Sequence, residues 1–490
     1  SGDKMKPIFD LVIFGGCGDL SMRKLLPAMY RSHQQGDVSE DSKIMVCCRK
    51  QNDFDHMKTT IEAKLREFLD VDDFNDSQWQ KFSTLIEPVL LDLTDINKGW
   101  DTFSRLFSDS SERVRVFYLA VIPSIYGDCC KNLSAMNLIS SNSRLVVEKP
   151  LGYDLPSAES INEIMAEFFN EEQIYRIDHY LGKETVQNLL TLRFSNFLFE
   201  NIWDSKAIDH IQISISEQVG LEGRAGFYDD VGAMRDMVQN HLLQLMCLLA
   251  IDSPNQLSSD AIRIEKVKVL QALKPILDND IDDCTVRGQY VSGLVNNEKV
   301  KGYLDELDNY QSNTETYVGL KVFIDNWRWA GVPFYLRTGK RLKQRGADIV
   351  VQFKNVTHNV YAYSGQRLKP NQLIIKLQPE EKIQLRLMAN DIGGGTTSLE
   401  PILLNLDFAQ NQDHPNSSAY QRLLLDVIKG NSTLFIHRDE VTAAWQWIDP
   451  IIKHWQKNQK SPELYSAGSW GPSKADEIFD APHQYWHDVS

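Results

Sequence analysis

The sequence predicts an α/β domain built on a parallel sheet, followed by an α+β domain with a large antiparallel sheet, and three observations carry that prediction. Over the first third of the chain, short runs rich in Val, Ile and Leu alternate with helix-length segments, as in a parallel sheet covered by helices. Beyond about Tyr175 the apolar residues recur at period two, which marks strands with one covered face. A length of 490 residues, at roughly 150 per domain, leaves room for two or three units with ample cores.

The elements follow in order. PIFDLVIF reads as the first strand, LSMRKLLPAMYRS as the helix after it, and SKIMVCC, RVRVFYLAV and SRLVVEKP as further strands of a nucleotide-binding type of architecture. The second half opens on two helices, KETVQNLLTLRFSN and DDVGAMRDMVQNHLLQLMCLLA. HIQISISEQV between them, and TYVGLKVFI, ADIVVQF, NQLIIKLQP and KIQLRLMAN after them, read as antiparallel strands. A sheet with one free face needs a cover, so a homo-oligomer formed through it is expected. DIGGGTTS is glycine-rich but lacks a following Lys-Ser/Thr, and it reads as a flexible turn rather than a phosphate cradle.

Composition narrows the class. With 42% hydrophobic and 24% charged residues the chain is of the soluble globular kind, and a net charge of -15 excludes nucleic acid as an expected partner. No run of 18 apolar residues occurs, so no membrane span is expected. The start SGDKMKPIFD has no apolar signal core and its leading residues read as a cloning remnant, which points to the cytoplasm. Seven cysteines, odd in number and without CxxC spacing, argue for reduced thiols and against a zinc site or a disulfide framework.

LVIFGGCGDLSMRKLL runs from a buried-type strand through glycines into a helix. Gly15 and Gly18 allow the tight turn and close backbone approach that a pyrophosphate at a helix N-terminus requires. The spacing is G-x-x-G rather than G-x-G-x-x-G, so an empty glycine connection remains the competing reading. At the end of KIMVCC stand Arg49 and Lys50, where an acidic residue would serve a ribose diol. Two cations there favour the extra phosphate of NADP, against the alternative of a solvated basic turn. In VVEKPLG, Lys149 follows a strand at its carboxyl end, the side on which open parallel sheets bind ligands.

YRIDHYLGKE concentrates titratable groups between the two patterns. His179, Tyr180 and Lys183 cluster where a helix begins near Gly182, a place suited to a phosphate, while a self-satisfied polar turn with Asp178 paired to Arg176 or Lys183 is the competing reading. His241 lies at the margin of an apolar helical stripe that includes Val238, Leu242 and Leu245. Such a histidine is more often packed core. Asp236 and Asn240 make its surroundings polar, and Asp178 is available as an orienting carboxylate, so an acid-base role stands beside the core one.

RIDHYLGKETVQN, GGCGDLSMRKLLP, VVEKPLG, EGRAGFYDDVGAMRDMVQNHLLQ, GVPFYLRTGKRL and AYQRLLLDVIKG together resemble the glucose-6-phosphate dehydrogenase family along nearly the whole chain. The resemblance implies a Rossmann domain over 1–175 that binds NADP. It further implies an α+β domain over 176–490 for substrate and assembly, and a homodimer or homotetramer. It places the base on His241 with Asp178 as its carboxylate partner. Phosphate ligands fall on His179, Tyr180, Lys183, Lys340 and Arg345, and sugar ligands on Lys149, Glu217, Asp236 and Gln378. Coenzyme residues fall on Gly15, Cys17, Gly18, Asp19, Leu20, Arg49, Tyr126 and Glu148, with Lys24 and Lys149 reaching toward the reacting atoms.

The implied reaction oxidises β-glucose 6-phosphate at carbon 1, without a metal. Cys17 departs from the hydroxyl residue usual in the family and Met22 from a common lysine, and both are expected to weaken the coenzyme. HQYWHDVS lacks the basic extension of animal members, so no second structural NADP is expected. A glucose-fructose or inositol dehydrogenase type of oxidoreductase and a non-catalytic NADP-binding sensor are the rival readings. The first lacks the RIDHYLGK run, and the second would tolerate the loss of a ligand or of the base.

Overall fold

The structure is a computed structural model, and it describes residues 6–108, 112–308, 310–391, 398–406 and 418–489. The leading residues 1–5 and the glycine run 393–395 lie outside the described residues. The chain forms two compact units. The first takes Ser1–Gly182, Leu257–Arg263 and Asp413–Thr442, and the second takes Lys183–Gln256, Ile264–Gln412 and Ala443–Ser490.

The first unit holds six strands: β1 (Phe9–Phe14), β2 (Lys43–Cys48), β3 (Ile86–Leu90), β4 (Val114–Leu119), β5 (Ser143–Glu148) and β6 (Ile174–Ile177). All pair in parallel, in the order β3-β2-β1-β4-β5-β6. The order reverses between β1 and β4, the switch point at which doubly wound sheets open a ligand crevice. The continuous apolar run of β1 is explained by its two covers. Leu11 and Ile13 enter one core cluster while Val12 and Phe14 enter another. The two edge strands, β3 and β6, are short and carry Glu87, Pro88 and Arg176, so their periodicity is too weak to read from sequence.

The late helix Ala419–Lys429 belongs to this unit because Leu423, Leu424, Val427 and Ile428 complete its core. Arg176 of the motif is fully buried, donating to Glu171 at 2.5 Å and to Asn162 at 2.9 Å. Its cation is a structural brace for β6, since a buried guanidinium needs its donors met.

The second unit holds β7 (Ile208–Ser216), β8 (Thr285–Val291), a small hairpin of β9 (Gly293–Val295) and β10 (Glu298–Val300), and then β11 (Tyr317–Val322) and β12 (Phe334–Gly339). β13 (Gly346–Phe353), β14 (Gln372–Gln378), β15 (Lys382–Asp391), β16 (Ser398–Leu406) and β17 (Glu463–Ser466) complete it. Nine of these strands form one sheet in the order β16-β15-β14-β13-β7-β12-β11-β8-β17. It is mostly antiparallel, with parallel pairs at β7–β12 and β8–β17.

Among the described residues, apolar exposure in this sheet gathers at its margins: on β16 Ile402 and Leu404 share one face at 41% and 44% exposed while Leu403 turns to the other at 48%, and Leu464 of β17 is exposed at the opposite edge. The central strands β7 and β13 are buried almost throughout. The chain's own C-terminal segment provides part of that cover. Gln212 of β7 donates to the Tyr485 carbonyl at 2.6 Å and accepts from the His487 N–H at 2.8 Å.

Candidate active site

Parallel strands end on one edge, so the first unit delivers its predicted residues together. Gly15–Asp19 follows β1, Arg49 follows β2, Glu148 closes β5 with Lys149 next, and Asp178 and His179 follow β6. The loop after β1 is shaped by the absence of side chains. Gly15 has φ +76, and a Cβ there would stand 2.3 Å from the Ala120 carbonyl oxygen; one on Gly16 would stand 2.4 Å from Val46. Gly18 would meet only its own loop, at 3.1 Å from the Gly15 oxygen. Gly16, unassigned from sequence, is therefore as necessary as Gly15.

Leu20 and the residues after it enter the helix through one π-helical turn, Ser21–Leu25. Asp19 is exposed and paired with Arg23 at 3.0 Å, and Lys24 is exposed. Met22 is buried in the core, so its difference from the family's common lysine is one of packing. Cys17 is exposed as a residue, yet its thiol sits 3.9 Å from the Met57 sulfur. Partial burial, with Cys48 and Asp53 nearby, pushes that thiol up to about 12. Arg49 is 83% exposed beside Asp92 at 3.7 Å, free to meet a ligand at little cost in desolvation. Tyr126 is buried in the core, its hydroxyl pushed up by burial and then by the charge of Glu148.

The turn His179–Gly182 is tight. Asp178 is buried and its Oδ1 accepts the Tyr180 N–H at 3.0 Å, while its carbonyl accepts from Leu181. The competing pairing with Arg176 is not formed, since that guanidinium turns to Glu171 and Asn162. Gly182 allows the helix Ala419–Lys429 to close on the turn, because a Cβ would stand 2.6 Å from the Ala419 oxygen. Tyr420 of that helix donates to Glu148 at 2.6 Å, and its ring lies parallel to His179. AYQRLLLDVIKG carries the family resemblance, yet no role for Tyr420 is legible in it. Burial raises the Glu148 carboxyl above its ordinary range, against the Tyr420 hydrogen bond.

In the second unit Lys183 stands at the start of the helix Glu184–Phe194. Glu381 takes the place expected for an anion there: it accepts the Glu184 N–H at 3.1 Å and lies 4.0 Å from Lys183 Nζ. Glu217, just past β7, accepts from Lys340 Nζ at 2.8 Å, and Lys340 lies over the Tyr228 ring at 5.0 Å. Burial first, then the charges of Asp236, Glu315 and Glu217, pushes the Tyr228 hydroxyl well up, so three carboxylates and Lys340 surround one protonated phenol. Arg345 is exposed in the turn before β13, and Gln378 ends β14.

His241 is 1% exposed on a helical stretch that differs from the regular helix expected of the sequence. The chain breaks helical geometry at Gly232 (φ 76, ψ 166) and winds as a π-helix over Met234–Leu242. Asn240 explains the widening. Its amide donates to the Asp236 carbonyl at 2.9 Å, the acceptor that an α-helix would give to its backbone N–H, and its Oδ1 takes the His241 N–H at 2.6 Å. Glu315, also unforeseen, is buried beneath the kink and accepts the Met234 N–H at 3.1 Å.

The family described as "Glucose-6-phosphate dehydrogenase, NAD binding domain" matches residues 12–188, and "Glucose-6-phosphate dehydrogenase, C-terminal domain" matches residues 190–487. A glucose-6-phosphate 1-dehydrogenase of Rhizobium meliloti is 48% identical over 481 residues, 98% of each chain. Another from Dickeya dadantii is 45% identical over 485 residues, again 98% of each. Among solved structures, a glucose-6-phosphate dehydrogenase in complex with glucose-6-phosphate shares 31% identity and a TM-score of 0.88 over 100% of both chains.

Proposed function

This chain belongs to the glucose-6-phosphate dehydrogenase family of oxidoreductases, and from that premise we propose that it oxidises D-glucose 6-phosphate at carbon 1 to 6-phospho-D-glucono-1,5-lactone, with NADP as the acceptor. The observation in the structure that carries the reading is the gathering of the glycine loop, Arg49, Glu148, Lys149, Asp178 and His179 at the carboxyl edge of one parallel sheet. Residues 1–175 would bind the coenzyme, and residues 176–490 the sugar phosphate and a second copy of the chain.

The loop fits a dinucleotide: Gly15 and Gly16 let it turn tightly against Ala120 and Val46, and Gly18, whose Cβ would meet only the loop's own Gly15 oxygen, leaves the backbone before the helix uncovered. Gly15, Cys17, Gly18, Asp19 and Leu20 would line the pyrophosphate, Arg49 the 2'-phosphate, and Lys24, Tyr126, Glu148 and Lys149 the nicotinamide end. When bound, NADP supplies the hydride acceptor. His179, Tyr180, Lys183, Lys340 and Arg345 would hold the phosphate dianion, a role suited to cations and N–H or O–H donors. Lys149, Glu217, Asp236 and Gln378 would orient the sugar hydroxyls. His241, neutral, would take the proton of the carbon-1 hydroxyl as Asp178 keeps its other ring nitrogen protonated. No step asks for a metal.

A cytoplasmic setting agrees with seven cysteines none of which is paired in a disulfide. Assembly as a homodimer or homotetramer agrees with the apolar exposure along β16. Among the described residues no helix is long and apolar enough to cross a membrane.

The test is a spectrophotometric assay of coenzyme reduction with glucose 6-phosphate against glucose, and NADP against NAD. Glucose 6-phosphate with NADP should be strongly preferred, and equal use of unphosphorylated glucose would overturn the reading in favour of the glucose-fructose type. His241→Asn should lower turnover by about 10²–10⁴-fold with the fold intact. Retained turnover would make His241 a packing residue.

A further inference from the structure

Glu148 closes β5 in a setting that works against its charge. Burial raises its carboxyl, and the charge of Asp178 adds to that; Tyr420, Tyr118 and Lys149 oppose them, Tyr420 most strongly. The groups that face it thus come from β4 (Tyr118), from the helix Tyr126–Ala135 (Tyr126), from its own strand end (Lys149), from the segment after β6 (Asp178) and from the helix Ala419–Lys429 (Tyr420). Tyr420 makes the contact that counts, its hydroxyl donating to Oε1 at 2.6 Å. That hydroxyl is itself pushed up by burial and by Glu148, so it stays protonated and donates.

The other side of the same ring faces the substrate residues. The Tyr420 ring and the His179 imidazole are parallel, with centroids 6.3 Å apart and planes 7° from each other, in the range of an offset stack. The helix that carries Tyr420 is pinned to the turn carrying His179. Arg422 donates to the Gly182 carbonyl at 3.0 Å, and the Gly182 backbone approaches Ala419 too closely to admit a Cβ. Tyr420 is therefore a held group, bonded on one side and stacked on the other.

We propose that Tyr420 is a positioning residue of this enzyme: its hydroxyl holds the Glu148 carboxyl and aims it at the sheet edge, and its ring fixes the His179 imidazole for the phosphate. The proposal deepens the proposed function and rests on it for what Glu148 and His179 touch. In this role Tyr420 acts through Glu148 and His179.

Tyr420→Phe keeps the ring and removes the donor. Infrared titration of the ligand-free protein reads the protonated carboxyl of Glu148, which is assigned by its loss in Glu148→Gln. The midpoint of that titration should rise by about one pH unit in Tyr420→Phe. On the acid side kcat/KM for the coenzyme should accordingly fall about tenfold, with little change at alkaline pH. In a Glu148→Gln background the same substitution should shift nothing further. Tyr420→Leu, which also removes the ring, should in addition raise KM for glucose 6-phosphate.

A Tyr420→Phe profile superimposed on that of the wild type, or an equal shift in the Glu148→Gln background, overturns the proposal. Should Tyr420→Phe fail to fold, Tyr420→Leu carries the same infrared titration, and an unmoved Glu148 midpoint in that variant overturns the proposal as well. If the wild type reduces no NADP with glucose 6-phosphate, the proposed function falls, while the infrared titration still decides the link between Tyr420 and Glu148.

Discussion

The loop after β1 and the helical stretch Met234–Leu242 both leave regular geometry, and they do so by opposite means. The loop is held by what is missing: Gly15 and Gly16 turn where Ala120 and Val46 allow no Cβ. The helical stretch is held by what is present: the Asn240 amide captures a carbonyl and an N–H of its own helix and widens it around His241. A site that must admit a ligand against its backbone is built by removing side chains. One that must present a single side chain is built by letting another side chain compete with the backbone. The first tolerates no addition, and the second no deletion.

Gly15→Ala tests the first half and should have the largest effect. The left-handed backbone and the crowding of Ala120 together cost about 2–5 kcal/mol, read by chemical denaturation and by coenzyme titration. Gly18→Ala, with only its own loop to meet, should stay under about 1 kcal/mol; equal damage from both would show that the loop is governed by the ligand rather than by crowding.

Arg49→Ala sharpens the comparison, because an exposed cation beside the loop can be lost without strain. NADP should weaken by about 1.5–3 kcal/mol and NAD hardly at all, and a matching loss for NAD would make Arg49 structural.

On the helical side, Asn240→Leu deletes the competing amide. Stability should fall by about 1–2 kcal/mol, and turnover should fall with it as the helix rewinds and turns His241 away. Unchanged turnover would mean that the widened helix is incidental to the histidine.

The smallest effect belongs to Cys17. A thiol pushed up to about 12 is neutral at ordinary pH, so alkylation should be slow at neutral pH and quicken about tenfold per pH unit, where an ordinary thiol levels off near 9. Cys17→Ser, which restores the hydroxyl usual in the family, should strengthen NADP binding by a few tenths of a kcal/mol. Fast alkylation at neutral pH would show the loop to be more open than its packing against Met57 implies.

The order of strands and helices in the first unit was legible because β1, β2, β4 and β5 are apolar on both faces and separated by helix-length segments. The edge strands β3 and β6 were not, since an edge strand can be short and polar without loss of core. Period two foretold a large antiparallel sheet but not its two parallel pairs, nor that the chain's own C-terminal segment lies on the Gln212 face. Nothing local signalled that Ala419–Lys429 would join a core begun at Phe9.

For the site, the chemistry of each residue was readable and its partners were not. Histidines, carboxylates and cations in RIDHYLGKE, and glycines after a buried strand, announce themselves by type and spacing, because helix and strand periods and steric limits act over a few residues. That Lys340 would pair with Glu217, that Glu381 would meet the helix at Lys183, and that Tyr420 would join Glu148 to His179 are contacts across 123, 197 and 272 residues of sequence. Contacts at such separations exist only once the core has closed. Sequence by itself determined the family, the two kinds of sheet and the candidate residues, whereas tertiary packing alone decided which charge each of them faces.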